Sequence, residues 1–216
     1  MSEVVYADEV VTNALLREID LSPFGAKGKL ALITLDNGLD HTRPNTLGPQ
    51  SIRNLNSAID QAISTNPAAI AITGKPFIFA AGADLSGITV LKDPEDAKYI
   101  INYGHATYAK LRESSIPTFC FINGLALGGG TEIGLSCHYR TIASTAMIAL
   151  PEVFLGLIPG WSGVTLLPRL IGPNNAVQVI IQNPLNNNRM LKGTESVSLG
   201  MCDEVYEPVD FLERSV

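Results

Sequence analysis

Three short runs rich in β-branched and apolar residues, 30–35 (LALITL), 68–73 (AAIAIT) and 117–122 (PTFCFI), recur along the chain with helix-forming segments between them. This alternation constrains the fold more than any other feature. Between the first two runs, Ile52, Leu55, Ile59, Ala62 and Ile63 recur at steps of three and four, which predicts a helix over about 50–64 with one apolar face. Between the second and third, Asp93 caps and Pro94 opens a helix reaching about Arg112. Strands buried on both faces and joined by helices make an α/β fold with parallel strands. With 216 residues, the chain is read as one large domain able to bury a full core.

The remaining segments are less regular. The first 29 residues, broken at Pro23, Gly25 and Gly28, are expected to form a loosely organised lead-in to a domain spanning 30–216. Phe77 to Asp84 passes from apolar to small residues, Asn123-Gly124 turns the third strand toward Gly128-Gly129-Gly130, and 131–137 is expected to be helical. Short strands are expected at 140–143 and 147–150, then a Gly/Pro-rich loop over 151–159, then helices near 162–171 and 173–182.

Composition excludes several classes. Charged residues are only 17% of the chain, below the roughly 25% of ordinary domains. With 46% hydrophobic residues this is no disordered chain, and the deficit implies that other subunits cover part of the surface. A net charge of −6 argues against a nucleic-acid partner. No apolar run reaches the ~18 residues of a membrane span, and the acidic start is unlike a signal peptide. Cys120, Cys137 and Cys202 show no metal-ligand spacing and are read as reduced packing residues of a cytoplasmic protein.

Chemistry concentrates around the glycine triplet. Three glycines before a helix allow close backbone approach and leave N–H groups at the positive end of the helix dipole. The spacing matches neither the nucleotide P-loop nor the dinucleotide fingerprint, so tight packing of helix against strand is the competing reading. Glu132 follows in the first helical turn, where a carboxylate can simply complement the dipole. Glu152 repeats the situation, a lone acid in the apolar run Leu150-Pro151-Glu152-Val153-Phe154. Two acids at one site would titrate as a pair and could divide base and acid roles; either alone is more often a salt-bridge partner.

Taken together, the blocks AAGAD (80–84), NGLALGGGTE (123–132) and PEVFLGLIPG (151–160) stand in an order and at separations that resemble the enoyl-CoA hydratase/isomerase (crotonase) family. The resemblance covers roughly 30–208, including the late SLGMCDEV (198–205). It implies a spiral of β-β-α turns, acyl-CoA thioester substrates, homotrimers or hexamers, and no metal or redox cofactor, since CoA enters with the substrate. It further implies an oxyanion hole made by the backbone N–H groups of Ala83 and Gly129, with Glu132 and Glu152 as catalytic acids and bases. Lys75, Ala81, Asp84, Leu85, Gly128, Pro151, Gly160 and Trp161 fall at substrate-lining positions. Hydratases of the family carry both glutamates, whereas isomerases usually keep only the second.

Three departures stand out. Leu85-Ser86-Gly87 supplies no basic residue where the family commonly has one for the CoA phosphates, leaving Lys75 as the candidate or as a solvated turn lysine. Trp161 replaces a small residue and either narrows the acyl pocket or fills core space. The chain stops at Val216, where relatives generally continue with closing helices; this suggests a piece of a longer polypeptide such as a multifunctional β-oxidation enzyme with a hydroxyacyl-CoA dehydrogenase domain. His41, His105 and His138 pair by sequence with no activated Ser or Cys, and structural or surface roles are expected for them. The leading expectation is hydration of 2-enoyl-CoA. The rivals are a Δ3-Δ2 isomerase or another acyl-CoA reaction, and a non-catalytic binding or assembly module.

Overall fold

The computed structural model describes residues 4–88 and 93–216. Ten strands appear among them: β1 (Asn13–Asp20), β2 (Lys29–Asp36), β3 (Ala69–Gly74), β4 (Phe77–Ala80), β5 (Thr118–Ile122), β6 (Gly124–Leu127), β7 (Tyr139–Ala143), β8 (Met147–Ala149), β9 (Leu191–Lys192) and β10 (Glu204–Tyr206). The helices are α1 (Pro49–Ser64), α2 (Leu85–Ile88), α3 (Pro94–Arg112), α4 (Gly129–Ser136), α5 (Gly163–Ile171), α6 (Pro173–Val177), α7 (Asn183–Leu185), α8 (Gly193–Ser198) and α9 (Phe211–Ser215).

The strands form two sheets, a larger one ordered β1-β2-β3-β5-β7-β10 and a smaller one ordered β4-β6-β8-β9. In the larger sheet only β1 runs antiparallel to its neighbour. The chain visits the larger sheet, crosses to the smaller one and returns through a helix twice, by β3-β4 then α3 and β5-β6 then α4; after β7-β8, the helices from α5 to α7 lead to β9 of the smaller sheet, and α8 leads back to β10. This is the β-β-α spiral. The apolar runs are buried because helices cover them: Ile52, Leu55 and Ile59 of α1 and Tyr108 and Leu111 of α3 join Ile33, Ile72 and Phe121 in one core.

Most expected elements lie within a residue or two of their expected bounds, and Asp93 does cap α3, its Oδ1 accepting from Glu95 N at 2.9 Å. The segment expected to be a loose lead-in is organised. Residues 13–20 pair along their whole length with β2. Glu9 accepts from Gln50 N (3.0 Å), Ser51 N (2.8 Å) and Ser51 Oγ (2.6 Å), capping α1 in place of Gly48, which has no side chain to do so. Gly124 is also not a turn residue but the first residue of β6. The expected helix over 173–182 is regular only to Val177 and continues through a π-helical turn, Gln178–Gln182.

Candidate active site

Two loops and two helix starts meet beside the smaller sheet. The first loop carries Ala81-Gly82-Ala83-Asp84 out of β4 and is laced to the segment before α1. Ala81 N donates to Asn45 O (2.8 Å), Leu47 N to Gly82 O (2.9 Å) and Asp84 N to Leu47 O (3.3 Å). The bridge between Leu47 and Ala83 thus uses the N–H groups of Leu47 and Asp84, and not that of Ala83. Gly129 opens α4, where an N–H has no acceptor inside the helix. The two segments are close: a Cβ placed on Gly82 would stand 3.6 Å from Gly129 N and 3.1 Å from Leu127 O. Gly82 (φ +83°) and Gly128 (φ +51°) adopt the left-handed backbone that lets the two segments approach.

Glu132 lies one turn into α4 and is only 1% exposed. Its Oε1 accepts from the backbone N–H groups of Trp161 and Gly163, both at 2.7 Å. Burial pushes its carboxyl up to about 7, against the pull of these two donors. Glu152 sits in a 3-10 turn (Glu152–Leu155) directly after Pro151. Its Oε1 overhangs Gly128, where a Cβ would stand 2.6 Å away, and its Oε2 is buried without a partner. Burial, reinforced by the charge of Glu132, pushes Glu152 up to about 7 as well, and its own backbone N–H pulls the other way. The charge of Glu132 therefore reaches Glu152, although the chain separates them by twenty residues.

Trp161 packs between helices. It is 5% exposed and meets Tyr108 edge-on, with ring centroids 5.6 Å apart. Its Nε1 edge fills the place of a Cβ on Gly104 of α3, and its six-membered ring fills that of a Cβ on Gly129. Tyr108 donates to Gly129 O at 3.1 Å, fixing the start of α4. Of the other expected lining residues, Ala81 and Gly128 belong to the two loops, and Pro151 leads into Glu152. Asp84 is turned inward, accepting from Ser86 N and Oγ (3.0 and 2.7 Å). Leu85 and Gly160 are exposed.

Lys75 departs from its expected place at the CoA phosphates. It is 4% exposed, and its ammonium donates to Asn37 Oδ1 (2.5 Å), Leu39 O (2.9 Å), Asp40 O (3.0 Å) and Arg43 O (2.6 Å). It is neither a solvated lysine nor a free cation, but a clamp on the 37–43 loop. That loop continues into Asn45, whose amide donates to Leu35 O (2.8 Å) and Phe79 O (3.1 Å) and whose carbonyl holds Ala81.

The structure also pairs two residues that sequence reasoning left apart. His105 Nδ1 lies 3.0 Å from Ser162 Oγ, and Ser162 carries a strained φ of +93° between Trp161 and Gly163. The strain is the detectable signal, and it belongs to the backbone rather than to the sequence. His138 is structural, as expected: Thr118 N donates to its Nδ1 at 3.1 Å. The three cysteines are free and buried.

The model of the enoyl-CoA hydratase/isomerase family matches residues 25–216. The chain belongs to that family. A probable enoyl-CoA hydratase of Bacillus subtilis is 34% identical over 163 residues, 74% of this chain and 61% of that protein. The fatty acid oxidation complex subunit alpha of Shewanella amazonensis is 32% identical over 191 residues, 87% of this chain and 26% of its own length. The chain thus spans about a quarter of that relative. Among solved structures, the enoyl-CoA hydratase of Bacillus anthracis superposes with a TM-score of 0.79 at 27% identity, covering 94% of this chain and 73% of that one. DspI of Pseudomonas aeruginosa superposes with a TM-score of 0.79 at 25% identity, covering 99% and 80%. Family membership and the crotonase fold follow from these matches.

Proposed function

We propose that this family member hydrates 2-enoyl-CoA thioesters in fatty-acid β-oxidation. The observation that carries the reading is the pair of buried carboxyls, Glu132 and Glu152, set around the glycine triplet beside two backbone N–H groups the fold leaves available. Addition of water at C3 of an α,β-unsaturated thioester moves negative charge onto the carbonyl oxygen. The N–H groups of Ala83 and Gly129 are suited to receive it, each worth about 3 kcal/mol by analogy with measured oxyanion holes. Two neutral dipoles fixed in advance need no reorganisation as the charge develops.

The acids divide the proton work. Glu132 has two backbone donors on Oε1, which favour its charged form, so it orients and deprotonates the water. Glu152, with an unpartnered Oε2 and a like charge nearby, is the better reservoir for the proton delivered to C2. No step calls for a metal or a redox cofactor. Lys75 clamps the 37–43 loop leading to Asn45, whose carbonyl holds Ala81, and the CoA phosphates fall to other groups.

We also read the protein as a homotrimer or hexamer. Phe154, Leu155, Leu157 and Ile158 follow Glu152 as one run of exposed apolar residues, a surface suited to a neighbouring subunit. The test of the activity is incubation with crotonyl-CoA in ¹⁸O-labelled water, read by mass spectrometry. The expected product is 3-hydroxybutyryl-CoA carrying the label. Migration of the double bond in 3-enoyl-CoA with no label gained from crotonyl-CoA would replace hydration by isomerisation.

A further inference from the structure

We infer that Trp161 closes the acyl end of the site and restricts this protein to short acyl groups. The inference rests on the hydratase reading and deepens it to a substrate class.

Bond lengths set where the acyl chain must go. A thioester oxygen held by the Ala83 and Gly129 N–H groups puts C1 beside the start of α4. C3, two bonds on, must lie within reach of the carboxylate that delivers water, Glu132. The fourth carbon therefore emerges beside whatever surrounds Glu132 on the side away from CoA. That neighbour is Trp161, whose own N–H is bonded to Glu132 Oε1 at 2.7 Å. The indole lies across the gap between α3 and α4, one edge on Gly104 and the other on Gly129, and both positions are glycine where any side chain would collide with it. The ring has little room to swing aside. Tyr108 abuts it edge-on, and the Trp161–Gly163 turn is tied to Glu132 and to His105 through Ser162. A methyl carbon fits beside such a wall, but a chain of six or more further methylenes does not. In a close-packed site each misplaced methylene costs about ten- to 200-fold in kcat/KM.

The experiment needs no variant to begin. Crotonyl-CoA, 2-hexenoyl-CoA and 2-decenoyl-CoA are compared by kcat/KM on the full chain, with crotonyl-CoA expected to exceed 2-decenoyl-CoA at least tenfold. In Trp161→Ala and Trp161→Leu the ratio should fall by at least tenfold, because the backbone N–H to Glu132 remains while the wall recedes. Binding is measured in parallel with the unreactive butyryl-CoA and decanoyl-CoA. Trp161 is the single tryptophan, so its fluorescence reports on the acyl end directly. Butyryl-CoA should perturb the emission and bind at least tenfold more tightly than decanoyl-CoA. Equal kcat/KM for the three enoyl chains, equal binding of the two saturated chains, or an emission that neither ligand changes would overturn the inference. A chain that hydrates nothing yet prefers butyryl-CoA in binding would sink the hydratase reading and leave the acyl limit standing.

Discussion

Glu132 and Glu152 are the same residue type, both pushed up to about 7, yet their surroundings differ in kind. Glu132 stands on a helix, fully buried, with one oxygen gripped by two backbone N–H groups. Glu152 stands on a single 3-10 turn, half-buried, with one oxygen over Gly128 and the other unpartnered. The first is a carboxyl held in one geometry by donors that pull against its burial. The second has one oxygen with no partner among the described residues. These different surroundings are the basis on which different tasks are proposed for two identical side chains.

The largest effect should come from removing either charge. Glu132→Gln and Glu152→Gln should each lower kcat on crotonyl-CoA by about 10²–10⁴-fold, as expected for a lost acid or base. Steady-state kinetics on variants with unchanged circular dichroism checks it, and near-native turnover in either variant removes that residue from the mechanism.

Next is the proposed oxyanion donor, the Gly129 N–H. Gly129→Pro deletes one N–H at the first helical position, where proline is tolerated, and should cost roughly 10²–10³-fold in kcat. Because a Cβ at this position meets the Trp161 ring, the substitution belongs in a Trp161→Ala background, compared with Trp161→Ala alone. Equal kcat in the two proteins would free Gly129 of its role.

A smaller effect separates the two acids in stability. Each has an ordinary carboxyl value of 4.5 when unfolded and about 7 when folded. Below pH ~4.5 both states hold the proton and no cost arises. Between about 4.5 and 7 the unfolded chain releases protons that the folded chain retains, so stability falls as pH rises and levels off above about 7. Glu132→Gln keeps an oxygen for the Trp161 and Gly163 N–H groups while removing this loss. It should match the parent near pH 4.5 and exceed it by about 1–3 kcal/mol at pH 8 in urea titrations. Glu132→Ala drops both donors and should be less stable than Glu132→Gln throughout. The same ordering is not expected at Glu152, where no neighbouring backbone relies on the side chain.

How legible this was in the sequence depends on distance along the chain. Local signals suffice for α1, α3 and the three buried strands: one apolar face for α1, the Asp93-Pro94 start for α3 and a β-branched run for each strand. The motif blocks single out Glu132, Glu152, Ala83 and Gly129 as candidates through their resemblance to a family. Apart from Gly124 and the π-helical turn after Val177, which are local, the misses cross long separations. Glu9 caps a helix that begins forty residues later, β1 gains its structure only by pairing with β2, and Lys75 is drawn inward by the carbonyls of a loop more than thirty residues before it. A lysine beside a Gly-Pro turn reads as solvated because its acceptors are backbone atoms, invisible in residue type. The Ser162–His105 pair joins two side chains 57 residues apart, and Trp161 fits between helices because Gly104 and Gly129 make room for it.

The division of labour between the two acids has a direct test that does not require turnover. Butyryl-CoA has no double bond to hydrate, but its C2 proton can be removed to an enolate held by the Ala83 and Gly129 N–H groups and returned from solvent. In D₂O, exchange at C2 followed by mass spectrometry should persist in Glu132→Gln within about tenfold of the parent and fall by at least 10²-fold in Glu152→Gln. Loss of exchange in both variants alike, or its survival in Glu152→Gln, would contradict the separate roles drawn from their surroundings.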